Sequence, residues 1–256
     1  MKSIIKKIVF QLILIAPFVH IVAQTEHIDK FKQGVEFYSE GNFEKAADVW
    51  TELYNTGYRS AALHYNIANA HFKNANLPKA ILFYERAHLL APLNEDINYN
   101  LQIARTFITD RFQEIPEIFF VKWFNIAALL VSSNSWAIIG IIAFVICLIA
   151  TSLYIYSAKY LHKVIGFWTA VFCLVISLTS VVLSSKNNSL VNDSRKAIIF
   201  SSAVSGKSSP DASGSDLFIL HEGTKVSVER KVGEWLEIRL SDGNKGWIPE
   251  NCLEII

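Results

Sequence analysis

Apolar positions along this chain follow three patterns. In the first, apolarity is continuous: Ile8 to Thr25, Trp123 to Ala158 and Val164 to Ser185 contain no Asp, Glu, Lys or Arg. About 20 such residues cross the hydrocarbon core of a bilayer, so the middle of the chain predicts a two-helix transmembrane hairpin, 136–156 and 165–183. The connector 157–164 carries Lys159, His162 and Lys163 and no acidic residue, which places it on the cytoplasmic side. Before the hairpin, 117–135 holds Phe119, Phe120, Lys122, Trp123 and Phe124 and reads as a helix lying in the membrane interface. After it, 184–196 reads as a linker. In the second pattern, over 24–116, apolar residues recur at helical spacing. In the third, over 197–256, short alternating runs (Leu217 to Leu220, Lys225 to Arg230, Trp235 to Leu240, Gly246 to Pro249) are separated by Glu222-Gly223, Val232-Gly233 and Asp242-Gly243. That spacing predicts a small all-β barrel, with Val226, Val228, Leu236, Ile238 and Leu240 as its core. Ser201 to Ser215 is rich in Ser and Gly and reads as a mobile loop.

The N-terminal run has its own logic. Lys2, Lys6 and Lys7 precede Ile8 to Val22, and Ala23-Gln24 offers a small residue for cleavage; 1–23 reads as a secretory signal peptide, with an uncleaved anchor helix as the alternative. Both keep the positive end in the cytoplasm and export the segment after Gln24. The helical and β pieces then lie together on the outer, periplasmic side of a bacterial inner membrane, because a two-span hairpin returns the chain to the side it left.

Composition agrees with this division. Of 256 residues 52% are hydrophobic and 18% charged, against about 25% charged in soluble domains, which argues against one soluble globule. The formal net charge of +1 gives no basic footprint for nucleic acid. Cys147, Cys173 and Cys252 are too few and too scattered for a disulfide framework or a zinc site.

A shift of 34 residues aligns Gly34 with Ala68, Phe37 with His71, Gly41 with Ala75, Ala46 with Ala80 and Trp50 with Tyr84. This period, and the stretch from Tyr65 through Ala87 closing at Pro92, resembles the tetratricopeptide (TPR) repeat. Two repeats, 27–60 and 61–94, and a capping helix from 95 are expected, the last helix capping the stack or docking on the membrane piece. Carried over by repeat position, the resemblance places a protein-binding groove at Tyr38, Tyr65, Asn69, Phe72, Lys73 and Tyr99, with side-chain packing as the alternative role of the aromatics. Leu220 to Val228, followed by Gly233-Glu-Trp-Leu-Glu-Ile-Arg-Leu and Gly246-Trp-Ile-Pro, resembles bacterial SH3-like domains, in which Trp235 and Trp247 would frame a groove for a peptide or wall-peptide ligand, with packing of the last hairpin as the equal alternative for Trp247.

Catalytic patterns are weak. Gly206-Lys207-Ser208 lacks the earlier glycine of a phosphate loop. His64 and His71 share a helical stripe without a third ligand, and no Cys/His pair or nucleophile elbow is present. No catalytic residue, cofactor or metal is expected.

Signal, short TPR stack, two-span hairpin and SH3-like barrel in one chain together resemble the BatE component of the bacterial aerotolerance (Bat) operon. The resemblance implies a non-enzymatic membrane scaffold linked to oxidative-stress tolerance, with membrane-anchored von Willebrand A-domain proteins of the same operon as partners and a MoxR-type ATPase as a further neighbour. The alternative is an envelope module that binds peptidoglycan peptide through the SH3-like barrel and recruits a wall enzyme through the TPR.

Overall fold

The computed structural model describes residues 27–112, 118–192 and 195–256; the signal reading over 1–23 lies outside them. Helix α1 (27–39) is followed by α2 (Phe43–Asn55), α3 (Ala61–Lys73), α4 (Leu77–Leu90) and α5 (Glu95–Thr106), each packed on the next. The caps repeat with the 34-residue period. Asn42 Oδ1 accepts from Lys45 N and Asn76 Oδ1 from Lys79 N; Ser60 Oγ accepts from Leu63 N and Asn94 Oδ1 from Ile97 N. Each satisfies one orphan amide of a helix start. The tight turn before α2 uses Gly41 at φ 78°, and its counterpart before α4 uses Ala75 at φ 57°. Between the helices lies one core of Ala46, Trp50, Leu53, Leu63, Ile67, Ala68, Ala80, Phe83, Tyr84, Leu101 and Ala104.

Next come α6 (Phe119–Leu129), α7 (Ser133–Tyr156) and α8 (Tyr160–Val191). The last two are long and apolar enough to cross a membrane, with mean hydropathy 2.7 and 2.2 in their most apolar windows, and most of their apolar side chains face outward. They pack antiparallel through small residues: Gly140, Ala143, Cys147 and Ala150 of α7 against Gly166, Cys173, Ser177 and Ser180 of α8. A Cβ on Gly166 would stand 2.8 Å from Ala150 O. Small residues at such seams let two backbones approach closely.

Two expectations change here. Helix α8 resumes at Tyr160, within the expected 157–164 connector, and runs on to Val191, through most of the expected 184–196 linker. The reason is side-chain bonding: Asn187 Nδ2 donates to Ala128 O and Val131 O, and Ser133 Oγ donates to Ser184 O. These contacts give the polar end of α8 a packed face. At about 1.5 Å per residue its 32 residues span about 48 Å, well beyond the roughly 30 Å hydrocarbon core.

The C-terminal part is an antiparallel seven-stranded sheet. Its strands are β1 (Lys196–Ile199), β2 (Ala203–Lys207), β3 (Asp216–His221), β4 (Lys225–Val232), β5 (Trp235–Arg239), β6 (Lys245–Pro249) and β7 (Leu253–Ile255), in the order β3-β2-β6-β5-β4-β1-β7. Val226, Leu236, Ile238 and Leu240 are buried, with Ala197, Ile199, Leu220 and Ile248, while Val228 packs at the margin. The expected mobile loop over 201–215 is a correction: it contains β2, paired residue by residue with β3. Gly206 is a strand residue because the Phe218 ring occupies the space its side chain would need.

The sheet docks on the helices. Ile198, Phe200 and Ile256 join the helical core. Glu85 of α4 is buried, with its Oε1 2.6 Å from Arg105 Nη2 and its Oε2 2.6 Å from Lys225 Nζ. Asp110, just beyond α5, accepts from His221 N and Thr224 Oγ1 on one oxygen and meets His221 Nδ1 with the other, each at 2.7 Å. Arg86 donates to Ile255 O at 2.6 Å and to Glu254 at 3.1 Å. The end of α5 therefore meets the β-barrel.

Candidate binding surfaces

The six residues expected to line a helical groove divide into three groups. Tyr38, Tyr65, Asn69 and Phe72 are half-buried along α1 and α3. Tyr84 and Asn100 bind two of them together: Tyr84 Oη donates to Asn69 Oδ1 at 2.6 Å, and Asn100 Nδ2 donates to Tyr65 Oη at 2.7 Å and to Asn69 Oδ1 at 3.3 Å. Tyr38 packs on Phe43 and Trp50, and Phe72 meets Phe107 edge-on. Tyr99 stands apart at 66% exposure, and Lys73 is exposed on the last turn of α3.

Tyr84 and Asn100 do not stand out in the sequence as groove residues. The period marks Tyr84 only as the counterpart of Trp50, a filler between helices, and Asn100 follows the exposed Tyr99. Burial, reinforced by Tyr65, raises the hydroxyl pKa of both Tyr38 and Tyr84. The face is therefore a network of neutral hydroxyls and amides, chemistry suited to peptide groups rather than to a charged terminus.

On the barrel, Trp235 pairs with Pro249, and Glu237 with Trp247. This register puts both indoles on the face opposite the core residues Leu236 and Ile238. They differ in access. Trp235 is half-buried, while Trp247 is 7% exposed with the Arg230 guanidinium 5.1 Å from its ring centre. Arg230 is held by Glu237 at 2.7 and 3.3 Å. A groove framed by both indoles requires Arg230 to leave Trp247. Nothing in the sequence signals this cover, because Arg230 and Glu237 meet only across the β4–β5 hairpin.

Among the described residues no group of three His, Cys, Asp or Glu is arranged to hold a metal. Cys147 and Cys173 are buried in the α7–α8 seam, and Cys252 is half-exposed. His64 is 4% exposed among Tyr54 and Phe83, with no partner for either ring nitrogen. Burial and then the Arg86 charge lower its pKa to about 4. It is a packing residue.

Residues 208–256 match the family model of the variant SH3 domain. The match covers β3 to β7, and the fold extends it backward through β1 and β2. No curated protein matches the chain. The C-terminal part is thus an SH3-like domain, a kind of module that serves protein–protein interaction.

Proposed function

We propose that the protein is a non-enzymatic scaffold, held in a bacterial inner membrane by α7 and α8, that binds protein partners through two outward faces. One is the helical face around Asn69, read as a short TPR stack; the other is the SH3-like surface at Trp235. The observation that carries this reading is the docking of the SH3-like domain on the helices. The pairs of Glu85 with Lys225 and of Asp110 with His221 support placing both modules on one side of the membrane, the side to which a two-span hairpin would bring the chain back. The docking uses α4, the end of α5, β1, β7 and the β3–β4 turn, so neither face is consumed by it.

The positive connector end at Lys159 and Lys163 supports a cytoplasmic placement of the connector, and with it a periplasmic placement of both faces. In this reading α6, with Trp123 69% exposed beside Phe119 and Phe120, rests in the interface. The residues that carry the BatE resemblance support a Bat-type stress complex, with membrane-anchored von Willebrand A-domain proteins as partners. Two weak modules on one rigid body raise the effective concentration of the second contact without new interactions.

The test is capture from solubilised membranes by the full chain, in parallel with binding to purified sacculi. Membrane proteins retained by the wild type and lost with Asn69→Ala or Trp235→Ala are the expected result. Retention on sacculi lost with Trp235→Ala, without any membrane partner, would replace this reading by the wall-binding one.

A further inference from the structure

Cys147 and Cys173 are both buried between α7 and α8, and both are free thiols. In an antiparallel pair, seven residues forward on one helix match seven backward on the other, and each step returns to nearly the same face. The contact of α7 with α8 repeats in this way. A Cβ on Gly140 would stand 3.3 Å from Ser180 Cβ, and a Cβ on Gly166 would stand 3.3 Å from Tyr154 Cα. Cys147 lies seven residues after Gly140 and seven before Tyr154; Cys173 lies seven before Ser180 and seven after Gly166. The middle layer of the seam therefore sets one cysteine against the other, between two layers of close backbone approach. Disulfides need Cβ atoms roughly 3.5–4.5 Å apart, a separation close to that of the Gly140 layer.

We propose that Cys147 and Cys173 are a redox-active dithiol, closed to a disulfide by a lipid-soluble oxidant of the quinone class. Both S–H bonds break and one S–S bond forms, while the quinone takes up the two electrons and two protons and leaves as the quinol. The choice of oxidant rests on the reading of α7 and α8 as membrane spans. Around the pair, Phe144 and Leu148 of α7 and Phe172 and Leu174 of α8 face outward. No Asp, Glu, Lys or Arg lies on α7, or on α8 between Lys163 and Lys186. An ionic oxidant would have to shed its hydration to reach these sulfurs, which is costly. A neutral quinone would not, and because it accepts protons together with electrons, no charge is left in the apolar seam. Cys252, half-exposed on the SH3-like domain, is the contrasting thiol within reach of water.

The experiment incubates the reduced full chain in lipid nanodiscs with decylubiquinone or with ferricyanide and maps disulfides by mass spectrometry. A link between Cys147 and Cys173 is expected, with one quinone reduced per link. It should form about tenfold or more faster with the quinone than with ferricyanide, since the ion carries the desolvation cost into its barrier. Cys252→Ser should leave the link unchanged, and Cys147→Ser should abolish it. Cys173→Ala combined with Leu174→Cys turns the thiol outward, where Leu174 is exposed, and should abolish it too. No link in a chain that floats with lipid, equal rates with the two oxidants, or a link that survives Leu174→Cys would each overturn the proposal. A chain that does not float with lipid would overturn the membrane reading itself, and the oxidant with it.

Discussion

Ala75 sits at φ 57° where, one period earlier, Gly41 supplies the same turn at φ 78°. A side chain in this region costs about 1 kcal/mol or more, so Ala75→Gly should stabilise the helical part by about 1 kcal/mol in denaturant unfolding. His64 and His71 act through pH. Burial, aided at His64 by Arg86 and at His71 by Lys79, lowers both to about 4. Between pH 6.5, near their unfolded value, and about 4, the unfolded chain binds protons the folded one refuses, and stability falls as pH falls. His64→Leu should flatten this slope and, by removing a buried polar group without a partner, stabilise by about 1 kcal/mol. Legibility at this scale followed spacing. Gly34 and Ala68 were readable as small positions because a period demands them, and Gly34 lies directly under the Trp50 indole. The Tyr84–Asn69–Asn100 network was not, since its members come from three helices and share no spacing.

Helices α2 to α5 and strands β4 to β6 were legible because each carries its own periodicity and its own cap or turn. Strand β2 was hidden by a composition of Ser, Gly and Lys; its place comes from pairing with β3 and from the Phe218 ring above Gly206, a contact between elements. The polar end of α8 was hidden in the same way, being helical through Asn187. The docking of barrel on stack was equally invisible, although the residues that make it are ordinary. Burial alone would raise the Glu85 pKa, but Lys225 and Arg105 overturn this and lower it to about 2. Its contribution is therefore full above about pH 4.5 and is lost as pH falls toward 2, a window below that of the histidines. Glu85→Ala leaves two cations facing each other and should cost about 3–5 kcal/mol, turning one cooperative unfolding transition into two. Gly223 (φ 84°) lets the β3–β4 turn approach Ile81 and Ile108, where a Cβ would stand 3.1 Å from Ile81 Cδ1. Gly223→Val should separate the transitions similarly and also lower the midpoint of the barrel's own transition, because a β-branched residue strains the turn at this φ.

At the scale of the whole molecule, the apolar excess of the sequence has a structural address in α7 and α8, whose outward side chains are apolar and whose contact runs through small residues. Helix α8 extends past the expected hairpin to Val191, a few residues before β1 begins at Lys196, and the barrel docks on the helices through Glu85, Asp110 and Arg86. The proposed scaffold role depends on which side of the proposed membrane hairpin the SH3-like domain occupies. The native cysteines report it without engineering, since Cys147 and Cys173 are buried between α7 and α8 and Cys252 is half-exposed on the SH3-like domain. In intact spheroplasts a membrane-impermeant maleimide should label the protein, and Cys252→Ser should abolish the label. Labelling that appears only after permeabilisation would put the barrel in the cytoplasm and contradict the account.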